Sequence, residues 1–403
     1  MNKRILILGA GEAQLNLIKM AKNLGYFTIV CDTRPDMEGS KLADKYYQVN
    51  YMDKELVYKI AIDENIDGII SNSEPAMMSV SYVVDKLKLP GNSVESLEKL
   101  LSKEKFRVLQ EETKVYCPKS FIVETEREAV DKSKQLKFPI IIKPSESSGS
   151  RGTTKILEYS KEKIREAFLN CQLFSRNKKV VIEEFVEMES LELIDADVFV
   201  VGDDIMWDAF HGCRRSEKRP MIPMTKILPP NTSDERKLKV KEEVNKLLRQ
   251  AGVKLGQFNV ETYFSKNGEL FVVEINPRQA GNCIPHLIKE HTGIDFTKLL
   301  VSLAVDDKSY YEYLKSYERE NNYITLQVVF SDKTGIYDGL FIDKEIKPFI
   351  NWINEFYKKG DKVNKAISAE DLVAHVDLKF DNIDQQRKFT SDIEKFIYPV
   401  VIN

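Results

Sequence analysis

The stretch FVVEINPR, residues 271–278, places polar side chains in an otherwise apolar strand pattern. Glu274 and Asn276 are two residues apart, so on a β-strand they share one face while Ile275 points to the other. A carboxylate on an apolar strand is costly to bury without a partner, so a bound cation would explain Glu274. Arg278 follows at the end of the strand, where a cationic side chain can stabilise charge on a transferring phosphoryl group.

A second stretch of strand character precedes this one, FNVETYF at 258–264, and the residues between the two include Lys-Asn-Gly at 266–268. That tripeptide is a typical turn sequence, so the two stretches predict an antiparallel hairpin. The hairpin can bring Glu261 to the face that carries Glu274 and Asn276. Two carboxylates and an amide oxygen are hard ligands that suit Mg²⁺, with Mn²⁺ as a possible substitute, and Mg²⁺ commonly couples carboxylates to nucleotide phosphates.

The stretch IIIKPSESSGSRG, residues 140–152, puts Lys143 at the end of a strand and just before a loop rich in Ser and Gly. Backbone N–H groups of such a loop can wrap phosphates while the lysine supplies positive charge. The order differs from a P-loop, in which the lysine follows the glycines. An exposed loop after an edge strand is the alternative interpretation of this stretch alone.

The N-terminal stretch ILILGAGEAQ, residues 5–14, is similar to the start of a dinucleotide-binding domain. Gly9 and Gly11 permit a tight turn from strand to helix, and Asp32 ends the second strand, where a ribose-binding acid would lie. The third glycine of that fingerprint is replaced by Gln14. Two glycines are weak support for NAD, because any doubly wound sheet can use them in such a turn.

The spacing of apolar residues outlines the rest of the chain. Strands alternate with helices up to about residue 95, which predicts a parallel sheet covered on both faces. Beyond it we expect one charged helix over Ser96–Thr113, a loop or edge strand over the proline-rich stretch 214–230, and a helix over Ser233–Ala251. Residues from about 306 to the end predict a smaller, charged α+β segment.

Bulk properties exclude several classes of protein. A length of 403 residues predicts two or three domains, and a formal net charge of −3 offers no basic excess for nucleic acid. No apolar run is long enough for a membrane span, and the five cysteines show neither CxxC nor metal-ligand spacing. We therefore expect a cytoplasmic protein that contacts neither membrane nor nucleic acid.

Taken together, these motifs resemble the ATP-grasp superfamily of carboxylate-amine ligases, and the resemblance covers most of residues 1–305. It implies an α/β and α+β ATP-grasp fold: an N-terminal doubly wound, Rossmann-like domain without NAD over 1–95, an ATP-grasp domain over 96–305, and a small C-terminal α+β domain over 306–403. Within the ATP-grasp domain, about 117–190 would form the smaller lobe that clamps ATP.

The resemblance also implies roles for individual residues. Lys105 would be the first ATP-binding lysine and Lys143 the second, with catalytic roles for Lys143 and Arg278. Glu192 would hold the ribose hydroxyls, with Asp195 and Asp197 as nearby competitors. The remaining implied ATP ligands are Ser147, Ser148 and Gly149 of the phosphate-covering loop and Glu183, Glu184, Phe185 and Val186 of the adenine hinge; the implied Mg²⁺ ligands are Glu261, Glu274 and Asn276.

The stretch EINPRQAGNCIPHLIKEHTGID (274–295) looks most like L-amino acid ligases within the superfamily. There Arg278, Gly281 and His286 would approach the acyl substrate, although Gln279 and Ala280 depart from the commoner Pro-Gly or Gly-Gly. The implied reaction consumes ATP, forms an acylphosphate from a small carboxylate, and lets an amine displace phosphate. A homodimer is expected as a common state of such ligases.

Three other functions stay open at this point. A carboxylase or a purine-pathway-like ligase that uses bicarbonate or another small carboxylate would share the same motifs. An NAD-dependent oxidoreductase would explain Gly9 and Gly11 but would leave Lys143 and Glu274 without a role. A regulatory module that binds nucleotide without catalysis would have no need for Arg278.

Overall fold

The computed structural model describes residues 2–146, 151–219, 222–281 and 283–402. It contains a four-stranded parallel sheet, a four-stranded antiparallel sheet, an eight-stranded antiparallel sheet and a three-stranded sheet. This mixture of α/β and α+β architecture confirms the predicted fold class. None of the helices in the described residues is both long and apolar enough to cross a membrane.

The parallel sheet occupies the N-terminal part of the chain, with strand order β3-β2-β1-β4. Alternate residues of β1 face opposite layers, since Ile5 and Ile7 pack with α1 and α11 while Leu6 and Leu8 pack with α3 and α4. The elements are β1 (Arg4–Leu8), α1 (Glu12–Asn23), β2 (Phe27–Asp32), α2 (Glu38–Leu42), β3 (Lys45–Gln48), α3 (Lys54–Asp63), β4 (Gly68–Ile70), α4 (Met77–Leu87), α5 (Val94–Leu101) and α6 (Lys103–Thr113), with a 3₁₀ turn at Glu74–Ala76; α11 is Phe296–Ala304.

The glycine turn after β1 is closed by protein groups. Gly9 has φ +99°, a conformation that favours glycine, and the side chain of Gln14 lies against it. Asp32 accepts a hydrogen bond from the Ala10 N–H at 2.8 Å and pairs with Arg34, also at 2.8 Å. The residue that would bind a ribose in a dinucleotide fingerprint therefore fixes the turn itself.

The prediction of one helix over Ser96–Thr113 is wrong, because the chain forms α5 and α6 with a break at Ser102. Ser102 has extended backbone (φ −87°, ψ 117°), and its side chain accepts from the Lys105 N–H to cap α6. Both segments have helical periodicity, so the sequence pattern did not reveal that a serine in the middle would serve as an N-cap.

The small antiparallel sheet has the order β5-β8-β6-β7. One face, including Ile140, Ile142 and Ile182, packs against the two helices of this segment, so Lys143 and Glu183 lie on the opposite face. Its elements are β5 (Ser120–Val123), α7 (Glu126–Ser133), β6 (Ile140–Pro144), β7 (Thr154–Ile156), α8 (Lys161–Phe174) and β8 (Val180–Glu184).

The large sheet has the order β13-β12-β9-β10-β11-β14-β18-β16. Its apolar face packs on α6 and α9, which leaves the acidic and amide side chains of β9, β12 and β13 on the other face. The elements of its first part are β9 (Glu192–Val201), β10 (Asp204–Arg214), β11 (Thr225–Leu228), α9 (Asp234–Ala251), β12 (Leu255–Phe264), β13 (Leu270–Asn276), α10 (Ile284–Thr292), α11 and α12 (Ser309–Leu314).

The predicted loop or edge strand over 214–230 is wrong for its central part. Strand β11 pairs with β10 on one side and with β14 on the other, so it lies inside the sheet. The prolines of this stretch fall outside β11, at positions 220, 223, 229 and 230, and therefore remove no donor from its ladder.

The C-terminal segment contributes to two sheets. Strands β14, β18 and β16 continue the large sheet, while β17, β15 and β19 form the three-stranded one. The elements are β14 (Tyr323–Phe330), β15 (Gly335–Ile342), β16 (Ile350–Glu355), β17 (Lys362–Val363), β18 (Leu372–Phe380), α13 (Ile383–Thr390) and β19 (Ile397–Ile402), with 3₁₀ turns at Lys347–Phe349 and Ile393–Lys395. The domain division at 305/306 remains a prediction, and the large sheet is continuous across it.

Candidate functional site

The predicted hairpin is confirmed, and it brings two carboxylates together. Glu261 on β12 lies directly opposite Glu274 on β13, and a β-bulge follows immediately after Glu261. Asn276 donates from Nδ2 to Glu274 Oε1 at 2.9 Å. The bulge increases the local twist of the ladder, and bulges often re-aim side chains beside functional sites. All three predicted Mg²⁺ ligands are therefore neighbours on one face.

The two carboxylates differ in their electrostatic surroundings. Burial and the facing charge of Glu274 raise the pKa of Glu261 to about 7. Burial would also raise the pKa of Glu274, but the charge of Lys103 and the hydrogen bond from Asn276 outweigh it and hold that pKa below its usual value. A divalent cation between the two would offset both the burial and the mutual repulsion, and would favour the ionised form of Glu261.

The donor set of this pair suits a hard cation that is shared with a ligand. In the described part of the chain, no group of three His, Cys, Asp or Glu side chains lies close enough to hold a metal. The pair supplies two carboxylates and one amide, which leaves coordination positions for water and phosphate oxygens, as Mg²⁺ usually retains. The residues therefore fit a magnesium ion that arrives with a nucleotide.

A buried ion-pair network surrounds Lys143. Its ammonium is bonded to Glu183, and Arg107 from α6 donates from Nε to Glu183 Oε2 at 3.0 Å. Burial lowers the pKa of Lys143 to about 8. Burial would raise the pKa of Glu183, but Arg107 and Lys143 bring it down to about 2. Arg107 and Lys143 together carry one more positive charge than Glu183 balances, so the polar face of the small sheet has a net positive charge here.

Glu183, one of the predicted adenine-hinge residues, is already engaged within the protein, and its contact with ATP stays a prediction. Both carboxylate oxygens are engaged, with Arg107 contacting Oε2 at 3.0 Å and Oε1 at 3.4 Å and Lys143 contacting Oε1. Arg107 itself was missed by sequence reasoning. Its signal was its position beside Phe106 on the buried face of α6, where Gln110, one turn on, is also buried.

The predicted hinge residues connect the small sheet to the large one. Glu184 accepts from the Lys137 N–H at 2.9 Å, and the Phe185 N–H donates to the Pro139 carbonyl at 2.9 Å. The Val186 carbonyl accepts from the Tyr263 hydroxyl at 2.9 Å. The Lys155 ammonium lies 3.7 Å from the centre of the Phe185 ring. An aromatic ring at this position can also pack against a flat base. The hinge is thus anchored from both sides.

Lys105 is not brought to this cluster. Its ammonium is paired with Glu98 and its side chain is about half exposed, at 52%. Lys103, at the start of α6, lies nearer, since its charge lowers the pKa of Glu274 and acts on Lys143, and its N–H donates to the Ser145 carbonyl at 3.3 Å. Both lysines belong to the stretch SKEKF, and the helical phase that separates them was not resolved from sequence.

The three acids considered for ribose binding occupy different surroundings. Glu192 lies opposite Arg214 on the neighbouring strand, and burial raises its pKa. Asp195 pairs with Lys226 at 3.2 Å. Asp197 is fully buried and accepts from Gln257 at 2.6 Å, from His211 at 3.2 Å, from Asn259 at 3.3 Å and from the Ala280 N–H at 3.2 Å. Of the three acids, Glu192 has the fewest side-chain partners among the residues that the structure describes.

Arg278 and its neighbours join the hairpin to the N-terminal sheet. Arg278 Nη1 donates to the Gln279 carbonyl at 2.8 Å, and Gln279 Oε1 accepts from Asn72 at 3.0 Å. Glu74, from the 3₁₀ turn after β4, pairs with Arg176 at 3.3 Å. Burial and the charge of Glu274 raise the pKa of Glu74, which places this third carboxylate near the hairpin pair. Sequence reasoning missed Glu74, whose stretch SNSEPA carries no motif.

The remaining predicted residues follow β13 in the chain or lie outside the described residues. Gly281 is exposed, and a Cβ there would meet nothing within 4 Å. His286 lies in the first turn of α10, with Nε2 3.3 Å from Glu290. Ser147, Ser148 and Gly149 lie outside the described residues, so their predicted contact with phosphate stays a prediction.

Comparison with known protein families identifies the same region. Residues 102–309 match the family described as "Carbamoyl-phosphate synthase L chain, ATP binding domain". The carbamoyl phosphate synthase large chain, C-terminal section, of Aquifex aeolicus is 28% identical over 326 residues, covering 76% of this chain and 58% of that protein. Such carbamoyl phosphate synthase relatives are longer than this chain, which spans between 28% and 58% of their length.

Solved structures share the fold over the whole chain. The L-amino acid ligase of Bacillus licheniformis superposes with a TM-score of 0.81 at 16% identity, covering 100% of this chain and 99% of that one. The biotin carboxylase domain of the Hydrogenobacter thermophilus 2-oxoglutarate carboxylase, solved as a dimer with MgADP, ADP and bicarbonate, gives a TM-score of 0.71 at 16% identity, covering 100% of this chain and 92% of that one. At these identities the likeness shows the fold.

Proposed function

Because the chain belongs to the ATP-grasp superfamily, through the ATP-binding domain family of the carbamoyl-phosphate synthase L chain, we propose that it is an ATP-dependent ligase that joins a small carboxylate to an amine. The observation that carries this proposal is the pairing of Glu261 with Glu274 on the hairpin, beside Asn276 and within electrostatic reach of Lys103 and Arg278. Adenine binding alone would not need such a set.

The reaction proceeds in two steps in this proposal. The substrate carboxylate attacks the γ-phosphorus of ATP, the bond from that phosphorus to the bridging oxygen breaks, and ADP leaves with an acylphosphate formed. An amine then attacks the acyl carbon, and phosphate departs with the electron pair of the broken C–O bond while the amine loses a proton. Both steps depend mainly on positioning and charge neutralisation rather than on a nucleophilic side chain.

The chain's own residues supply that positioning. Glu261, Glu274 and Asn276 would hold Mg²⁺, which neutralises phosphate charge when bound. Lys143 offers a cation already desolvated and held by Glu183, so its attraction for phosphate is stronger than in water. Arg278, tied to the Gln279 carbonyl, would face the transferring phosphoryl group. Phe185 and Val186 would contact the adenine from the hinge, and Glu192 would hold the ribose.

We propose amino acids as substrates, which the fold shared with the L-amino acid ligase of Bacillus licheniformis supports. A carboxylase that uses bicarbonate is the second candidate, since the Hydrogenobacter thermophilus domain with the same fold was solved with bicarbonate. A homodimer and a cytoplasmic location belong to the same proposal.

The test measures ADP release from MgATP with purified protein. Single amino acids, pairs of amino acids and bicarbonate are added in turn, and Glu274→Gln is assayed beside the matched control Glu269→Gln, which lies on the exposed turn of the same hairpin. ADP release that depends on a pair of amino acids and is lost only in Glu274→Gln supports the ligase. Release with bicarbonate alone favours the second candidate, and no stimulated release by any carboxylate excludes both.

A further inference from the structure

A second cluster of polar side chains lies between α10 and the C-terminal strands of the large sheet. His375 and Asp377 project from one face of β18, since Ala374, Val376 and Leu378 pack in the core on the other. Helix α10 carries His286 and Glu290 over the former face, and Trp352 on β16 is the partner of Asp377 in the sheet.

The cluster holds two carboxyl groups in mutual contact. Asn351 donates from Nδ2 to Glu290 Oε1 at 2.8 Å and to Asp377 Oδ2 at 2.9 Å, so one amide bridges the two acids. Burial and the neighbouring Glu290 raise the pKa of Asp377 to about 7. Two carboxylates this close cannot both ionise without a compensating positive charge, so they share a proton.

Positive charge is scarce around this pair. His286 Nε2 lies 3.3 Å from Glu290, whose hydrogen bond raises the pKa of the imidazole, and the nearby Lys289 is paired with Asp295 at 3.0 Å instead. Within the described ranges, neither Glu290 nor Asp377 forms an ion pair with a lysine or an arginine. With His286 as the one basic partner of the two acids in the described part of the chain, the cluster keeps a proton between Glu290 and Asp377, and the positive charge of a ligand can replace that proton.

Apart from the contact between the two carboxyl groups themselves, four buried polar atoms of the cluster have no hydrogen-bond partner among the described residues. They are Glu290 Oε2, Asp377 Oδ1, His375 Nε2 and Trp352 Nε1. Asp377 is 0% exposed and His375 is 7% exposed, so water does not satisfy these side chains from the surface. Buried polar groups are normally paired, and an unpaired set in one place indicates a site for a ligand.

The cluster borders the proposed active-site region. Cys283, the N-cap of α10, has its sulfur 3.9 Å from His375 Nδ1, and the charges of both Glu12 and Asp377 act on it. Glu12 begins α1 directly after the glycine turn. The cluster therefore lies where that turn, the segment after Arg278 and β18 meet.

We propose that this cluster, His286, Glu290, Asn351, Trp352, His375 and Asp377, binds the ammonium group of a substrate. An ammonium has three donors and one positive charge, which matches two carboxylate oxygens and the acceptor nitrogen of a neutral His375. The indole N–H of Trp352 is a donor and fits a neighbouring oxygen of the same molecule. A metal fits less well, because Asn351 presents its N–H groups here and no group of three ligating side chains is present among the described residues.

The inference rests on the proposed ligase function and sharpens it. An acidic cluster attracts an amino acid or another ammonium-bearing molecule and repels bicarbonate. Glu290 and Asp377 therefore determine, in this inference, which of the two candidate substrate classes the protein accepts.

The test measures dissociation constants by calorimetry in the presence of Mg²⁺ and a non-hydrolysable ATP analogue. The probes are three matched pairs that differ in one ammonium group: L-alanine with propionate, L-leucine with 4-methylpentanoate, and L-lysine with L-norleucine. We expect wild-type protein to bind the ammonium-bearing member of at least one pair ten-fold or more tightly. In Asp377→Asn and in Glu290→Gln that preference should fall at least five-fold, while affinity for the partner molecule stays the same.

The control is Asp381→Asn, which removes an exposed carboxylate just beyond β18 and should keep the full preference. A preference absent from all three pairs in wild-type protein, or unchanged in both Asp377→Asn and Glu290→Gln, overturns the inference. Melting temperatures identify a variant that fails to fold, in which case the other variant decides. Substrate-dependent ADP release that is lost in Glu274→Gln reports separately on the proposed function, so the two ideas can fail independently.

Discussion

Lys143 is buried, and its ammonium is paired with one carboxylate, that of Glu183, which also pairs with Arg107. We expect Lys143→Met to lower kcat for ADP release at least 100-fold, because removing one preorganised charge from a transferring group costs about 3 kcal/mol. Steady-state kinetics measure this, with Lys137→Met, an exposed lysine close in sequence, as the control. A variant within three-fold of wild type would exclude a role in phosphoryl transfer.

The pairing of Glu261 and Glu274 predicts that the protein is stabilised by Mg²⁺. A ligand that binds only the folded state adds about 2.7 kcal/mol at one hundred times its dissociation constant. We expect Mg²⁺ with ADP to raise the melting temperature of wild-type protein, and a chelator to reverse the rise. Glu261→Gln should lose most of this response, whereas Glu269→Gln should retain it; an equal response in both would place the metal elsewhere.

At the scale of single elements, α6 is held to the small sheet by the contact between Arg107 and Glu183. Arg107→Met removes a charged hydrogen-bond donor but leaves Glu183 paired with Lys143, so we expect a loss of about 1.5–3 kcal/mol. Glu183→Gln instead leaves two buried cations without a counter-charge, which typically costs about 3–5 kcal/mol. Urea unfolding measures both losses, and an Arg107→Met variant less stable than Glu183→Gln would contradict this account.

The spacing of apolar and turn residues predicted the structure correctly where an element depends on its own local pattern. The strand-helix alternation up to residue 95, the turn at 266–268 and the shared face of Glu274 and Asn276 follow from local spacing, and the structure confirms them. Such spacing was not sufficient where an assignment depends on tertiary partners. The inner position of β11 and the pairing of Glu183 with Arg107 are decided by segments distant in sequence, and the break at Ser102 depends on a local N-cap that the spacing of apolar residues does not show.

Across the whole molecule, Asp377 makes stability depend on pH. Burial raises its pKa from 3.8 to about 7, so the folded state retains a proton that the unfolded state has already lost. The stabilisation is complete below the unfolded pKa and is lost as the pH rises towards about 7, with a slope of at most about 1.4 kcal/mol per pH unit for one proton.

Urea unfolding across this range checks that dependence. Compared with Asp377→Asn, which cannot ionise, wild-type protein should lose unfolding free energy between about pH 5 and 7 and change little above about pH 8. Parallel curves for the two proteins would show that Asp377 ionises normally and that its carboxyl contact with Glu290 is absent in solution.

Strand β11 has β14 as its outer neighbour, and β14 comes from beyond residue 306. A chain shortened to its first 305 residues would therefore expose the edge of β11, with the unsatisfied backbone donors and acceptors of Thr225–Leu228 open to any passing strand. Such a fragment would be prone to self-association even though it retains every residue of the proposed ATP site. A shortened protein made for expression or for fusion should therefore keep residues 323–380, because their strands cover the edge of the sheet that carries part of the proposed ATP site.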